Sequence, residues 1–469
     1  MQIYNTVTKK IEEFTTIEPN HVRMYTCGPT VYSYQHIGNL RTYVFSDLLK
    51  RTLQFLGYRV LQAMNITDVG HLTDDADAGD DKVETAARDA GMDVWSMTEK
   101  YKAKFLEDCA AVNVIPPDII CRATDHIDDQ IALVKRIEGR GCTYRTHDGL
   151  YFDTSSCSPV TDLTNMQITA SAEYSRVGAR GKRSNADFAL WKFSPPGQKR
   201  QMEWPSPWGI GFPGWHLECS AMSMVYLGET FDLHTGGVDH IPIHHTNEII
   251  QSESATQKRF VNFWVHGGWL SIGDSEKMSK SKGGTILLDH LIKRGYDPLA
   301  FRYLALTAHY RSPLKFTWDA MDASMNALNR IRREVNRATG GGRMVSKPHM
   351  ERFSGALSSD LDTPEALTVL WELLKDSRIN PDDKAETILM MDRVLGLRLQ
   401  ARPGLSSIDV PAEVLNLVLE RQTLKDQRRF AEADEIRDRV KGLGFDVMDT
   451  PTGPSLRSRS GGPDARGDE

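Results

Sequence analysis

A short strand, a glycine turn, an amphipathic helix and a second strand follow one another near the start of the chain, and this order constrains the fold most. Residues 22–26 are predicted to form a strand that runs into the turn at 27–30. Residues 40–56 carry apolar side chains at helical spacing, and Gly57 is a typical helix-ending residue. Residues 59–66 form the next apolar run. Such a βαβ start predicts an α/β fold with a Rossmann-type parallel sheet.

The charge balance limits how the chain can meet other molecules. Its 469 residues carry 57 Lys and Arg against 63 Asp and Glu, a formal net charge of −6. This balance argues against binding nucleic acid by bulk charge, but it allows a local basic surface. The first residues lack the pattern of a signal peptide, and no apolar run is long enough to span a membrane. We therefore expect a cytoplasmic protein without a membrane partner.

Six cysteines are scattered through the sequence, and the closest two are Cys109 and Cys121. This spacing gives neither a CxxC metal knuckle nor a dense disulfide framework. We expect reduced thiols.

The tetrapeptide His36-Ile37-Gly38-Asn39 lies between the glycine turn and the predicted helix. A helix N-terminus offers unpaired N–H groups and partial positive charge, which suit a phosphate. Gly38 would let a ligand approach the backbone, and the side chains of His36 and Asn39 could donate to phosphoryl oxygens. For the tetrapeptide alone, an ordinary capped helix with a surface histidine is an equal alternative.

A second segment, Lys277-Met278-Ser279-Lys280-Ser281, is followed by two glycines. Two lysines and two hydroxyls in such a loop can close over a polyphosphate and neutralise its charge. Alone, the segment is equally typical of a solvated surface loop. Together, the two segments resemble the signatures of class I aminoacyl-tRNA synthetases, which activate an amino acid with ATP on a Rossmann-type sheet.

The segment His244-His245-Thr246-Asn247-Glu248 follows Pro242 and is predicted to open a helix. His244 and Glu248 are then four residues apart on one face, a spacing that suits two ligands of one metal. Most such pairs are exposed hydrogen bonds. Cys27 and Cys219 could complete a metal site, but their spacing does not show this, because lone buried cysteines usually act as small hydrophobic residues.

The whole chain, from about residue 3 to 457, resembles the cysteinyl-tRNA synthetases. The resemblance rests on eight segments that occur in the order found in that family: YTCGPTVY (25–32), HIGN (36–39), NITD (65–68), DFALWK (187–192), GWHLECSAMS (214–223), HTGGVDH (234–240), HHTNE (244–248) and KMSKS (277–281).

The resemblance implies one Zn²⁺ per chain, held by Cys27, Cys219, His244 and Glu248. Cysteine and serine differ by sulfur against oxygen, and a shape pocket separates such near-isosteres poorly. Zinc prefers a soft thiolate, so the substrate sulfur would enter as a further ligand. A closed structural zinc site is the alternative, and the resemblance favours the substrate-binding role.

The resemblance also implies the remaining site residues. Catalysis would use His36, Asn39, Lys277 and Lys280, and the cysteine pocket would include Cys27, Thr67, Trp215 and His244. For Thr67 and Trp215 a plain core role is equally open. ATP, with Mg²⁺, would be bound by His36, Gly38, Asn39, Gly237, Asp239 and Lys280. The implied partners are tRNA(Cys), ATP and L-cysteine, and the implied state is a monomer.

The domain boundaries follow from composition and from the resemblance. We expect two halves of a Rossmann catalytic domain at 1–135 and 201–265, separated by a connective insertion at 136–200. The connecting domain that carries the KMSKS loop is then expected at 266–320, and a helical tRNA-binding bundle at 321–400. A small anticodon-side module is expected at 412–457, and a disordered tail at 458–469.

Two other functions are weighed against this one. A ligase that joins cysteine to an amino sugar shares the activation step but lacks a full anticodon-side extension, so residues 412–457 favour the tRNA reaction. A catalytically inactive RNA-binding relative is disfavoured because the HIGN and KMSKS segments and all four implied zinc ligands are intact.

Overall fold

A computed structural model describes most of the chain, at residues 1–70, 82–167, 181–195, 197, 200–272, 285–338, 344–399, 414, 417–418, 420–421, 424–425, 429–450 and 453–458. The strands are β1 (Gln2–Asn5), β2 (Lys10–Glu13), β3 (His21–Thr26), β4 (Arg59–Ile66), β5 (Ile119–Arg122), β6 (Thr143–Arg145), β7 (Gly149–Phe152), β8 (Phe188–Phe193), β9 (Gly211–Pro213), β10 (Phe231–Gly237), β11 (Val261–Gly267), β12 (Leu270–Ile272), β13 (Leu314–Phe316), β14 (Phe445–Thr450) and β15 (Gly453–Ser458).

The α-helices are α1 (Ile37–Phe55), α2 (Lys82–Asp89), α3 (Val94–Ala111), α4 (Ile127–Gly139), α5 (Thr164–Gln167), α6 (Trp215–Leu227), α7 (Thr246–Thr256), α8 (Leu288–Lys293), α9 (Pro298–Leu306), α10 (Trp318–Asn336), α11 (Lys347–Ser358), α12 (Thr363–Lys375), α13 (Pro381–Leu395) and α14 (Phe430–Gly442). None of the helices in the described part of the chain is long and apolar enough to cross a membrane.

A five-stranded parallel sheet with the order β11-β10-β3-β4-β5 forms the centre of the fold. The chain builds the sheet outward from β3 to β5 and then returns to the other side of β3 with β10 and β11. The strand order therefore reverses between β3 and β10. All of β10 and the last five residues of β4 are buried, as expected for parallel strands covered on both faces. The predicted α/β class with a Rossmann-type sheet is confirmed.

A second, antiparallel sheet has the order β6-β7-β8-β9. β6, β7 and β8 lie within the predicted insertion at 136–200, whereas β9 lies beyond it. Cys142, just before β6, and Cys157, after β7, form a disulfide. The expectation of reduced thiols is therefore wrong for this pair. It holds for the other four cysteines, which are free and buried. The sequence spacing of Cys142 and Cys157 does not indicate a disulfide, because the two residues come together only when β6 pairs with β7.

Two compact units divide the chain. The first comprises Met1–Arg330, Pro348–Lys375 and Met391–Leu397, and the second comprises Ile331–Lys347, Asp376–Met390 and Arg398–Glu469. Within the second unit, α14 packs against the hairpin of β14 and β15 around a small core of Val414, Leu417, Val418, Ile436, Val440, Phe445 and Val447.

Several segments singled out from the sequence lie outside the described residues. They are the acidic stretch after Gly70, the basic residues Arg176 and Arg180, the loop with Lys277 and Lys280, and the tail beyond Ser458.

A fully buried ion pair joins α1 to α9 in the first unit. Arg302 donates to Asp47 Oδ2 over 2.5 Å, and its other N–H groups donate to the carbonyls of Val112, Asn113 and Leu395. Burial opposes the charge on Asp47, but Arg302 and Arg51 hold its pKa below the ordinary value. The pair therefore fixes α1 against three other segments.

Removing one partner of this pair tests its contribution to stability. We expect Asp47→Asn to lower the free energy of unfolding by about 3–5 kcal/mol, because it leaves the Arg302 charge buried without its partner. Since the folded pKa of Asp47 is lowered, its contribution is fully present above the unfolded value of about 3.9 and is lost as pH falls through the folded pKa. Urea unfolding of the wild type and the variant should therefore converge at acidic pH.

Arg352 supplies the control, because its ion pairs with Glu365 and Glu372 are exposed. Arg352→Ala should leave the urea midpoint nearly unchanged. An equal effect of the two substitutions would contradict the assigned role of the buried pair.

Candidate metal centre and nucleotide site

The carboxyl ends of β3 and β10 lie side by side where the strand order reverses, which is the usual ligand position in open α/β sheets. Cys27 follows β3 directly, and its backbone N–H donates to the Thr235 carbonyl over 3.1 Å. The turn passes so close to β4 that a Cβ atom on Gly28 would lie 1.6 Å from the Asn65 carbonyl oxygen. Only glycine fits there, so the turn holds Cys27 in a fixed position.

Four buried side chains converge on this edge of the sheet. The candidate ligand atoms of Cys27, Cys219, His244 and Glu248 all lie within 4.8 Å of one another. The two Sγ atoms are 4.0 Å apart, and His244 Nε2 lies 3.0 Å from Glu248 Oε1. These separations suit ligands of a single ion. The structure thus brings together the four residues that the sequence nominated.

A second candidate set shares Cys27 and Glu248 and adds His234 and His245. His234 Nε2 lies 3.1 Å from Glu248 Oε2, and His245 Nε2 lies 3.2 Å from Cys27 Sγ. Neither histidine was assigned a role from the sequence. Both belong to the quoted segments HTGGVDH and HHTNE, but only the folded chain shows that they face the same carboxylate and thiol.

The local geometry around His244 explains its position. Residues Ile241–His245 form a π-helical turn that leads directly into α7 at Thr246. The predicted helix therefore begins with a wider turn, of a kind frequent at functional sites. His244 and Glu248 still form an i, i+4 ion pair.

Burial and mutual charge shift the pKa values of this cluster. Burial opposes the charge on Glu248, but His234 and His244 hold its pKa at about 2. Burial also disfavours the charged form of His244, yet Glu248 and Cys219 raise its pKa to about 10. Burial raises the pKa of the Cys27 thiol. The contact with Cys27, together with burial, raises the pKa of the Cys219 thiol. A bound divalent cation would replace thiol protons in such a site.

Two neighbours orient His244. Its Nδ1 lies 3.0 Å from His216 Nδ1, and the ring of Trp215 stacks on it with centroids 4.5 Å apart. Support of this kind at the second ring nitrogen fixes the orientation of a ligating histidine. The sequence nominated Trp215 as a pocket residue but did not nominate His216.

Thr67 directly follows β4 and is 2% exposed. Its hydroxyl donates to Glu218 Oε2 over 3.0 Å and accepts from Asn65 Nδ2 over 2.9 Å. Burial raises the pKa of Glu218 well above its ordinary value. The Thr67 side chain is thus hydrogen-bonded within the protein, to the residue that precedes Cys219.

The HIGN segment forms the start of α1. His36 is the N-cap residue, its Nδ1 accepts from the Asn39 N–H over 3.1 Å, and Asn39 Oδ1 accepts from the His36 N–H over 3.2 Å. A Cβ on Gly38 would lie 2.9 Å from His36 Nδ1, so glycine allows the ring to take this position. The capped helix, one of the two alternatives given for this segment from the sequence, is therefore present.

Ile286 and Leu287, which follow the stretch outside the described residues, pair through their backbone with the start of α1. The Ile37 N–H donates to the Ile286 carbonyl over 2.9 Å, and His36 pairs with Leu287. Lys277 and Lys280 themselves lie outside the described residues.

Gly237 and Asp239 lie at the end of β10 and in the following 3₁₀ turn, Val238–His240. A Cβ on Gly237 would come within 2.4 Å of Asp239 Oδ1. The absence of a side chain at Gly237 therefore lets the carboxylate of Asp239 lie against the end of the strand.

Comparison with known proteins shows that this chain is similar to tRNA synthetases. Residues 13–326 match the family model for the class I (C) catalytic domain of tRNA synthetases. The chain is 48% identical over 457 residues to cysteine–tRNA ligase 1 of Burkholderia lata, covering 97% of this chain and 96% of that protein. It is 43% identical to the cysteine–tRNA ligase of Zymomonas mobilis, with 95% of each chain covered.

Among solved structures, the methionyl-tRNA synthetase of Mycobacterium tuberculosis bound by methionyl-adenylate is similar, with a TM-score of 0.51 at 15% identity. The match covers 80% of this chain and 90% of that one. At this identity the likeness concerns the fold alone.

The tight turn at Gly28 gives a direct test of the site geometry. We expect Gly28→Ala to lower the free energy of unfolding by at least about 2 kcal/mol, because the clashing atom belongs to the backbone of Asn65 and cannot move aside. It should also reduce the metal bound per chain, because it displaces Cys27. Gly355→Ala is the matched control, since a Cβ at this position in the last turn of α11 meets nothing within 4 Å. Unfolding curves and metal analysis check both; a stable, metal-replete Gly28→Ala protein would contradict the argument.

Proposed function

The chain belongs to the class I cysteine–tRNA ligases, and we propose that it selects its amino acid with a zinc ion bound by Cys27, Cys219, His244 and Glu248. It activates L-cysteine with ATP to give cysteinyl-adenylate and pyrophosphate, and then transfers the cysteine to the 3′ end of tRNA. The observation that supports the zinc proposal is the meeting of two thiols, an imidazole and a carboxylate, all buried, at the carboxyl end of the parallel sheet.

The donor chemistry fits zinc. Cysteine sulfur, histidine nitrogen and carboxylate oxygen are its usual protein ligands, and softer thiolates favour zinc over calcium or magnesium. We favour the set with two thiols over the overlapping set with one. In this proposal His234 and His245 support the shared ligands Glu248 and Cys27 through the contacts described above.

Selectivity follows from the same chemistry. Bound at these residues, zinc supplies a soft Lewis acid that stabilises the thiolate of cysteine and gains little from the hydroxyl of serine. Trp215 and His216 hold His244 in place, and Thr67 donates to Glu218, the residue before Cys219. Rigid support of this kind keeps the site in the geometry that the substrate needs.

Activation needs positioning more than proton transfer, because the carboxylate of cysteine is already ionised at neutral pH. Since His36 Nδ1 accepts from the Asn39 N–H, the neutral ring carries its proton on Nε2 and can donate it to a phosphoryl oxygen. The dipole of α1 adds partial positive charge at this end, while the N–H groups of Ile37 and Asn39 are already hydrogen-bonded within the protein. We propose Lys277 and Lys280 as the residues that clamp the pyrophosphate, with Mg²⁺ accompanying ATP.

The adenosine and tRNA contacts complete the proposal. Gly237 contributes by letting the Asp239 carboxylate lie against the end of the strand, where this carboxylate is a suitable acceptor for ribose hydroxyls. The tRNA would be tRNA(Cys), bound by the regions 321–400 and 412–457 proposed from the sequence, and the catalytic domain would comprise 1–135 and 201–265. The monomeric state and the cytoplasmic location stay predictions of the sequence.

A zinc-ligand substitution with a matched thiol control tests the metal proposal. Cys219→Ala should reduce zinc from about one per chain to near zero and raise the KM for cysteine by about 100-fold or more, since losing even a residue that supports a ligand costs 10–100-fold. Cys121→Ala removes another buried free thiol and should leave both values unchanged. Zinc content is measured by mass spectrometry of the purified proteins. Normal zinc in Cys219→Ala would show that the ligand assignment is wrong.

The reaction itself is tested in two steps. Cysteine should drive ATP–pyrophosphate exchange, serine should not, and the activated cysteine should appear on purified tRNA(Cys). Exchange without charging would instead favour transfer of cysteine to an amino sugar, and the absence of exchange would contradict the activation step.

A further inference from the structure

The disulfide between Cys142 and Cys157 lies outside the metal cluster and takes no part in the chemistry described above. It closes the hairpin of β6 and β7, where the Asp153 N–H also donates to the Cys142 carbonyl over 2.8 Å. The sequence predicts a cytoplasmic protein, and disulfides in that compartment are usually transient and either catalytic or redox-sensing. The pair is therefore a candidate for a bond that breaks and re-forms in the folded protein.

The two sulfur-bearing residues differ in their access to solvent. Cys142 is completely buried, whereas Cys157 is only partly buried and its neighbours Ser156 and Ser158 are exposed. Thiol–disulfide exchange begins when a thiolate attacks one accessible sulfur of the disulfide. A small thiol can therefore reach the bond from the side of Cys157, and Cys142 is then the leaving group.

The disulfide also bears on a helix of the metal cluster. Thr161 donates to both carboxylate oxygens of Glu253, through its N–H over 2.6 Å and through its hydroxyl over 2.7 Å. Glu253 lies on α7, the helix that carries the candidate ligand Glu248. Because the disulfide fixes Cys157 beside β6, only three residues separate this covalent anchor from Thr161.

Hydrogen bonds hold the first part of the same segment whatever the state of the disulfide. Thr154 donates to Asp187 through its N–H and its hydroxyl, and Arg183 donates to Asp153. The residues from 155 to 161 follow these contacts and end at α7. Their attachment to the helix therefore depends most on the bond at Cys157.

We propose that Cys142 and Cys157 form a reversible exchange site for small thiols, and that the thiol is the enzyme's own substrate, L-cysteine. The identity of this thiol rests on the proposed function. Abundant cysteine opens the bond. Oxidation of the cysteine pool to cystine closes it and holds residues 155–161 against α7.

The exchange proceeds in two balanced steps. A cysteine thiolate attacks Cys157 Sγ, the protein S–S bond breaks, and Cys142 leaves as a thiolate that takes up a proton. A second cysteine thiolate attacks the cysteine sulfur of this mixed disulfide, and Cys157 leaves and is protonated in turn. The protein disulfide thus gains two electrons and two protons, and two molecules of cysteine are oxidised to cystine. The reverse sequence closes the bond.

Equilibration of the full chain with mixtures of cysteine and cystine tests the exchange. We expect Cys142 and Cys157 to change together from mostly thiol in excess cysteine to mostly disulfide in excess cystine, and to return when the ratio is reversed. Cys109 and Cys121, which are buried free thiols outside the metal cluster, should stay reduced throughout. Differential alkylation followed by peptide mass spectrometry measures each cysteine separately.

Hydrogen exchange of the oxidised and reduced proteins tests the effect on α7. The Thr161 amide should exchange about tenfold faster or more after reduction, because an open disulfide returns conformational freedom to the chain that it had closed. The Phe260 amide is the matched control, since it donates to the same Glu253 carboxylate from outside the segment. Its exchange rate should be equal in the two states.

A double substitution, Cys142→Ala with Cys157→Ser, gives a chain that cannot close the bond. Its Thr161 amide should exchange at the rate of the reduced wild type in every mixture, whereas Cys121→Ala should respond as the wild type does. The reduced wild type supplies the same comparison without any substitution.

Three results would overturn the proposal. They are a bond that no ratio of cysteine to cystine opens or closes, equal oxidation of Cys109 and Cys121, and a Thr161 amide that exchanges equally in both states. Cysteine-dependent pyrophosphate exchange is measured separately. It distinguishes a chain that does not activate cysteine from one that lacks the exchange site.

Discussion

The close approach of the turn after β3 to the end of β4 determines how the site is built. The Gly28 N–H donates to Asn65 Oδ1 over 2.8 Å, while the missing Cβ of Gly28 makes room for the Asn65 carbonyl. Asn65 also donates to Thr67, which donates to Glu218 on α6. One asparagine thus connects the turn that carries Cys27 with the helix that carries Cys219. The two thiols meet because the ends of these elements are held by the same hydrogen bonds.

The buried histidines and carboxylates near this turn would destabilise the protein if they lay unpaired in an apolar core. Histidines and carboxylates taken out of water are costly unless they are paired, and here each contacts another member of the cluster. The helix α7 is buried along its whole length, and Glu248 itself is fully buried. Such a concentration of buried titratable side chains is typical of a functional site rather than of a structural core.

The spacing of apolar residues predicted helices and strands well where a single periodicity dominates the segment. The strand expected at 59–66 coincides with β4, and the helix expected at 40–56 corresponds to α1, which starts earlier because His36 and Asn39 cap it. The β6-β7-β8-β9 sheet and the disulfide were not predicted, because antiparallel strands of three to six residues leave only a weak periodic signal. The metal cluster needed the family resemblance, since Cys27 and Cys219 are 192 residues apart. The roles of His216 and His234 depend on contacts across the fold, which no local spacing records.

The hydrogen bond between Ile37 and Ile286 has a consequence for kinetics at the nucleotide site. Ile286 is six residues beyond Lys280, a stretch that spans at most about 20 Å, and the hydrogen-bonded pair adds about 5 Å, so chain length alone limits the lysine Cα to within about 25 Å of the start of α1. Confinement to a sphere of that radius corresponds to an effective concentration of about 25 mM, in the range expected for a short tether. In the proposed function, the ammonium group of Lys280 would therefore meet a phosphate at the helix start as an intramolecular partner, at a rate that does not depend on the protein concentration.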